Sequence, residues 1–125
     1  LYHIKEGIDK IREEKYFSNG IIKKRGAYQH GKKQGKWQTY HRNGRIKKTE
    51  MFNNGKLHGK TIEWYKNGVK KAEGIFYNGK RQGVFLDWRK NGSLTTKQSF
   101  IDGLRCYVNN YYNNGSVINS EHYYG

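Results

Sequence analysis

Glycine recurs along this chain with a period of 24 residues, and no other feature constrains the fold so tightly. Gly20, Gly44, Gly68 and Gly92 are each 24 apart, and Gly115 follows after 23. Gly7, Gly31, Gly55, Gly79 and Gly103 keep the spacing of 24 without a slip. A third series, Gly35, Gly59 and Gly83, lapses at Tyr107 and has Ile11 at its N-terminal equivalent. Self-similarity at one period is the signature of a repeat architecture. Bulky side chains keep the same register. Tyr16, Tyr40, Trp64 and Trp88 form one aromatic series, with Tyr111 one residue early. Tyr28, Phe52, Phe76 and Phe100 form a second, with Tyr123 one residue early.

Each unit holds two strand-sized segments. Lys36 to Arg42 and Lys60 to Lys66 end in Asn43-Gly44 and Asn67-Gly68. Arg45 to Phe52 and Val69 to Phe76 end in Asn54-Gly55 and Asn78-Gly79, and a connector such as Lys56-Leu57-His58-Gly59 leads to the next unit. Asn-Gly favours the type I′ hairpin turn, which needs positive φ at both central residues. The glycines of the first two series are therefore expected at turns. With no helical segment between strands, neighbours in sequence pair antiparallel. The expected fold is all-β: one elongated antiparallel sheet, a meander of about eleven strands made of tandem hairpin repeats, about 50 Å long, with equivalent positions stacked about 10 Å apart. Residues 1–125 read as a single domain of about five repeats, with a partial repeat at 1–11 and a degenerate one at 104–125. Ile4, Ile8 and Ile11 also have helical spacing. Gly7 would sit inside that helix and belongs to the 24-residue series, so a strand is preferred there. Hydrophobic residues are only 34% of the chain while aromatics are 15%. A thin protein follows, in which the two aromatic series supply the packing through cross-strand contacts on one face.

The residues that repeat resemble a known unit. Phe52-Asn53-Asn54-Gly55-Lys56-Leu57-His58-Gly59-Lys60-Thr61, Phe76-Tyr77-Asn78-Gly79-Lys80-Arg81-Gln82-Gly83-Val84-Phe85 and Tyr28-Gln29-His30-Gly31-Lys32-Lys33-Gln34-Gly35-Lys36-Trp37 are its best copies. They resemble the MORN repeat, and more closely the bacterial MORN-variant repeat, over essentially the whole chain. The resemblance implies consecutive antiparallel hairpins in an extended sheet. It also implies scaffolding, protein contacts or contact with phosphoinositide-type lipids, and some bacterial members carry a putative antitoxin label. The pattern departs at both ends, where Ile11 replaces the connector glycine and the connector lysine and glycine are missing around Leu104.

Charge supplies the functional candidates. The chain carries 25 Lys and Arg against 10 Asp and Glu, a formal net charge of +15. Such an excess implies an acidic partner or serves solubility. It is uneven: eleven Lys or Arg and no acidic residue lie from Lys15 to Lys48, and no Lys or Arg follows Tyr107. Three basic series recur with the repeat: Lys23, Lys47 and Lys71; Lys32, Lys56 and Lys80; Arg42, Lys66 and Lys90. Stacked about 10 Å apart, each becomes a column of positive charge, a spacing near the Debye length at physiological salt. The columns read either as an anion-binding surface or as charge that keeps a long sheet soluble and blocks edge pairing. Lys32, Lys56 and Lys80 follow turn glycines, where loop solvation is the simpler role.

The expected function is a non-catalytic scaffold for protein–protein interaction or assembly, working through a basic elongated surface. An acidic protein is the first-choice partner; an anionic membrane surface, nucleic acid and a toxin to be neutralised are the others. Self-association through open sheet edges is also expected, at the C-terminal strand near Ser116 to Tyr123, which lacks lysines. No catalytic residue, metal or cofactor is expected. His3, His30, His41, His58 and His122 have no metal-ligand spacing, the single Cys106 excludes an internal disulfide, and no carboxylate pair repeats. Tyr65, Tyr77, Tyr112 and Tyr124 depart from the two aromatic series and are expected to be exposed. With Leu1 first and Met51 the sole methionine, the chain is expected to be part of a longer product, which leaves its compartment open.

Overall fold

A computed structural model describes residues 2–6 and 10–122, including the side chains of residues 10–118 and 121. These residues form β1 (Tyr2–Glu6), β2 (Lys10–Tyr16), β3 (Ile22–Gln29), β4 (Lys32–Tyr40), β5 (Ile46–Asn53), β6 (Lys56–Leu57), β7 (Gly59–Trp64), β8 (Lys70–Tyr77), β9 (Lys80–Trp88), β10 (Leu94–Ile101), β11 (Leu104–Tyr111) and β12 (Val117–His122). All belong to one open antiparallel sheet in chain order, with the two-residue β6 pairing β5 just ahead of β7. Among the described residues there is no helix. At the N-terminal end β1 pairs β2 from Tyr2↔Glu14 to Glu6↔Lys10, so strand pairing prevails over the helical spacing of the isoleucines. Gly7, Ile8, Tyr123 and Tyr124 lie outside the described residues.

The hairpins are of two kinds, where the sequence suggested one. At His30-Gly31, Asn54-Gly55, Asn78-Gly79 and Asp102-Gly103 both residues have positive φ, as a type I′ turn requires. At Asn43-Gly44 only the glycine does, with φ 88°. There Gly44 N–H donates to the His41 carbonyl at 3.0 Å and His41 N–H to the Arg45 carbonyl at 2.8 Å. This is a three-residue loop closed by a left-handed glycine, and the register shift between Thr39 and Tyr40 is its bulge. Gly20, Gly68, Gly92 and Gly115 close equivalent loops. The type I′ expectation is therefore corrected for this set. Its asparagines are selected by side-chain bonding. Asn43 Oδ1 accepts from Arg45 N–H at 2.9 Å, while its Nδ2 donates to the Lys66 carbonyl of the next unit at 3.0 Å. Asn67 repeats both bonds, with Val69 and Lys90.

The opposite row of turns is also bound across units. Asn54 N–H donates to Gln34 Oε1 at 2.8 Å, Asn78 N–H to His58 Nδ1 at 3.2 Å and Asp102 N–H to Gln82 Oε1 at 2.9 Å. The following glycine amides donate to the carbonyls of Lys33, Leu57 and Arg81. Amides that face away from their own hairpin thus meet acceptors on the preceding one.

The sheet is a single layer, so few side chains are fully buried. The two aromatic series occupy opposite faces, because Trp37 and Tyr40 on β4 fall on alternate sides. On one face the rings meet in two clusters, Tyr28–Trp37–Phe52 and Phe76–Phe85–Phe100, with centroids 5.1 to 6.4 Å apart. Packing thus runs through Trp37 and Phe85, members of neither series, and not through copies 24 residues apart. Trp37 is 2% exposed and lies over Gly26, where a Cβ would come within 2.0 Å of its ring. Phe85 lies likewise over Gly74, at 2.3 Å. The intervening unit has Glu50 and Thr61 in place of the Gly–aromatic pair. Lys33 caps Trp37 and Phe52, and Arg81 caps Phe85 and Phe100, with Leu57 between them in phase. The packing therefore alternates every two units. On the other face Tyr40 is buried, Trp64 and Trp88 are half-buried, and Arg25 and Lys70 lie over the rings of Tyr40 and Trp88. Tyr16, expected in the packing, is 44% exposed; the described residues of β1 pair β2 as far as Glu14.

This alternation predicts a paired substitution effect. Gly74→Glu alone should lower stability by about 3 kcal/mol or more, since its side chain must displace the Phe85 ring. Adding Phe85→Thr, which recreates the Glu50–Thr61 pair, should recover part of the loss. Urea unfolding midpoints measure both; an additive double variant would refute the coupling.

Candidate anion-binding cleft

The three basic series do not form one surface. Lys32, Lys56 and Lys80 sit at the type I′ border, where their side chains run beside Gly55, Gly79 and Gly103 of the next turn. The other two series lie at the opposite ends of the strands, about 25 Å away for an eight-residue strand. There they converge. A cleft of about 390 Å³ is lined by Lys47 and Lys71 from one series, Lys66 and Lys90 from another, and His41 and Tyr65 between them. Two units earlier, Lys23 and Arg42 flank the Phe17 ring at 5.7 and 5.1 Å from its centroid.

Backbone ties hold the cleft in shape. Tyr65 Oη donates to the Trp88 carbonyl at 2.7 Å and His41 Nε2 to the Trp64 carbonyl at 2.9 Å. Arg89, the next member of this column, donates to the Tyr111 carbonyl. Each therefore ties its loop to the following unit. Asn67 adds its bond to the Lys90 carbonyl at 3.1 Å. Lys71 Nζ stands 5.7 Å from the centroid of the Tyr65 ring and 3.8 Å from the Glu63 carboxylate. Glu63 is the one acidic residue lining the cleft, against four lysines, all exposed. The arrangement suits an anion: several flexible ammonium groups surround a half-buried ring, and a bound carboxylate or phosphate displaces little structure.

The column Phe17, His41, Tyr65 and Arg89 escaped the sequence reading because its members are four different residue types. The signal was positional, one residue after Tyr16, Tyr40, Trp64 and Trp88. Tyr65 is consequently corrected from an exposed ring to a half-buried, hydrogen-bonded one, whereas Tyr77 and Tyr112 are exposed. His58 caps the Asn78 amide and His30 occupies a turn. The half-buried Cys106 thiol faces the Leu104 carbonyl at 3.8 Å. Among the described residues no group of His, Cys, Asp or Glu could hold a metal ion.

A second hollow of about 390 Å³ adjoins the cleft and shares Glu63 with it. Thr61, Ala72 and Gly74 lie at its base, beside Phe76, Phe85 and Asp87. Thr61 Oγ1 is buried without a hydrogen-bond partner. Asp87 is half-buried and makes no ion pair with a described residue. Burial pushes the Asp87 pKa above the ordinary 3.8; Glu63 reinforces that shift and Arg81 opposes it.

Residues 33–54 and 57–78 match the family model described as MORN repeat variant. Each matched segment spans one three-residue-loop hairpin and its flanking connector residues, β4–β5 and then β7–β8. A search of curated proteins returns no match to the chain.

Two outcomes follow. Because the folded pKa of Asp87 is raised, folding favours its neutral form. Stability from that source is present below 3.8 and is lost as pH rises through the folded pKa. Asp87→Asn should therefore be more stable than the parent at neutral pH, with the difference closing below pH 3.8 in paired urea titrations. Tyr65→Phe should cost about 1 kcal/mol by losing its bond to the Trp88 carbonyl. A neutral result in the same titration would show that this tie is unimportant.

Proposed function

We propose that this chain, a MORN-variant repeat protein, works as a binding scaffold whose cleft at the three-residue-loop border takes an acidic segment of a partner protein. Repeats of this family are commonly non-enzymatic modules that bind proteins or membranes. What supports the finer reading is the convergence of Lys47, Lys66, Lys71 and Lys90 on one cleft around Tyr65. The sheet contributes rigidity: Lys47 and Lys71 stand on strands and the loops that carry Lys66 and Lys90 are tied across units, so little ordering is needed on binding. The cleft draws lining residues from three successive loops, His41, Lys66 and Lys90 among them, an arrangement that suits an extended chain with carboxylates at intervals better than a single point charge.

The experiment is fluorescence anisotropy with a labelled, glutamate-rich peptide. Lys66→Glu combined with Lys71→Glu should weaken binding by about a hundredfold, while Lys32→Glu with Lys56→Glu, which changes net charge equally, should weaken it by less than about fivefold. Raising salt should weaken binding to the parent. Equal losses in the two double variants would reduce the effect to net charge and overturn the cleft. Tighter binding to phosphatidylserine vesicles or duplex DNA under the same conditions would overturn the choice of partner.

A further inference from the structure

The second hollow has a chemistry opposite to that of the cleft. Glu63 on β7 and Asp87 on β9 flank Ala72 on β8, in the pairings Glu63↔Ala72 and Ala72↔Asp87. The same phase one and two units earlier is occupied by Lys48 and Lys24. Lys48 is paired with Glu63 from the other side, in the register Lys48↔Glu63. The chain thus places a lysine at this position in two units, beside one carboxylate at Lys48, which lies between Thr39 and Glu63, and beside none at Lys24, which lies between Lys15 and Thr39. At Ala72 the cation is missing, and Asp87 is left half-buried without an ion pair to a described residue. Arg81 also lines the hollow and its charge acts on Asp87 from a distance, but it makes no ion pair there: its guanidinium lies over the rings of Phe85 and Phe100, 5.1 and 5.2 Å from their centroids.

We propose that this hollow is a binding pocket for a cation on an apolar stem, an ammonium or guanidinium group that takes the place a lysine holds in the earlier units. Its volume, about 390 Å³, lies in the range of small-ligand sites. The small residues Ala72 and Gly74 admit the stem against the Phe85 ring, and Asp87 and Glu63 take the charge. An anion would meet Glu63, Glu73 and Asp87 against the single cation Arg81. A neutral apolar group would bury Asp87 further with nothing to pair it, at a cost in free energy. The cation has two sources, a Lys or Arg side chain of a partner protein or a free alkylamine or alkylguanidine. The inference is independent of the basic cleft, and its decisive residues, Ala72 and Asp87, do not line that cleft.

The test is a titration of the full chain, followed by backbone amide NMR, with n-butylguanidinium and separately with the capped peptide Gly-Leu-Arg-Leu-Gly. Saturable shifts are expected at Ala72, Gly74 and Asp87. Asp87→Asn should weaken binding by at least about tenfold. Ala72→Lys should abolish it by supplying the cation in place; Lys24 and Lys48 already occupy this slot, so the variant keeps the fold. Peptide binding about tenfold tighter than the free guanidinium assigns the source to a protein side chain, and equal or weaker peptide binding assigns it to a small molecule. No saturable shift with either probe overturns the proposal. So does unchanged affinity in both variants, or the same shifts on adding calcium chloride alone.

Discussion

A single-layer sheet has two wet faces, and what holds this one together at its borders is hydrogen bonding between turns of successive units. A hairpin turn ordinarily leaves amides and carbonyls to water. Here the Asn54, Asn78 and Asp102 amides reach Gln34, His58 and Gln82 of the preceding connector. On the other border Asn43 and Asn67 reach the carbonyls of Lys66 and Lys90. Each unit therefore has its termini clamped by its neighbours, over and above the strand ladder. Stability in such an array is nearest-neighbour in character, and these bonds are a large part of the interface term.

The clamping has a functional consequence. Side chains at turn borders are normally the most mobile part of a hairpin protein, a poor place to build a site. Tyr65 and His41, bonded to backbone of the next unit, turn one border into an ordered row. Lys66 and Lys90 project into the cleft from that row, and Lys47 and Lys71 from the ends of β5 and β8 beside it. The face beside it is built differently, on close contact between aromatic rings and glycine. Where the Gly–ring pair is replaced by Glu50 and Thr61, the packing thins, and the Asp87 hollow opens beside it. Two neighbouring sites of opposite charge arise from one repeat by changing a few positions and leaving the hairpins alone.

The sheet and its order were legible in the sequence because hairpins are local: turn residues and alternating segments determine which strands meet. Turn type was legible at Asn54-Gly55 and misread at Asn43-Gly44, since the same dipeptide serves both loops and only a longer-range bond from the Asn side chain distinguishes them. The two-unit alternation was present as Gly26 with Gly74, and Trp37 with Phe85, each 48 apart. A search at 24 residues passes over it. The basic series were visible as columns. Their division between two borders follows from which end of a strand each phase occupies, and Tyr65, their organising ring, belongs to a column whose members share only a position. Asp87 was passed over because its signal is indirect, the lysine of the Lys24 and Lys48 phase that is missing at Ala72.

The clamping of turn amides across units can be measured by hydrogen exchange at Asn54, Gly55, Asn78, Gly79, Asp102 and Gly103. These six amides lie in turns, where exchange is ordinarily close to that of an unstructured chain. Bound to the preceding unit, they should instead be protected to about the same degree as the adjacent strand amides of β5, β8 and β10. Exchange at unstructured rates, with the strands still protected, would contradict the account, since the borders would then be free and the cleft would have no frame.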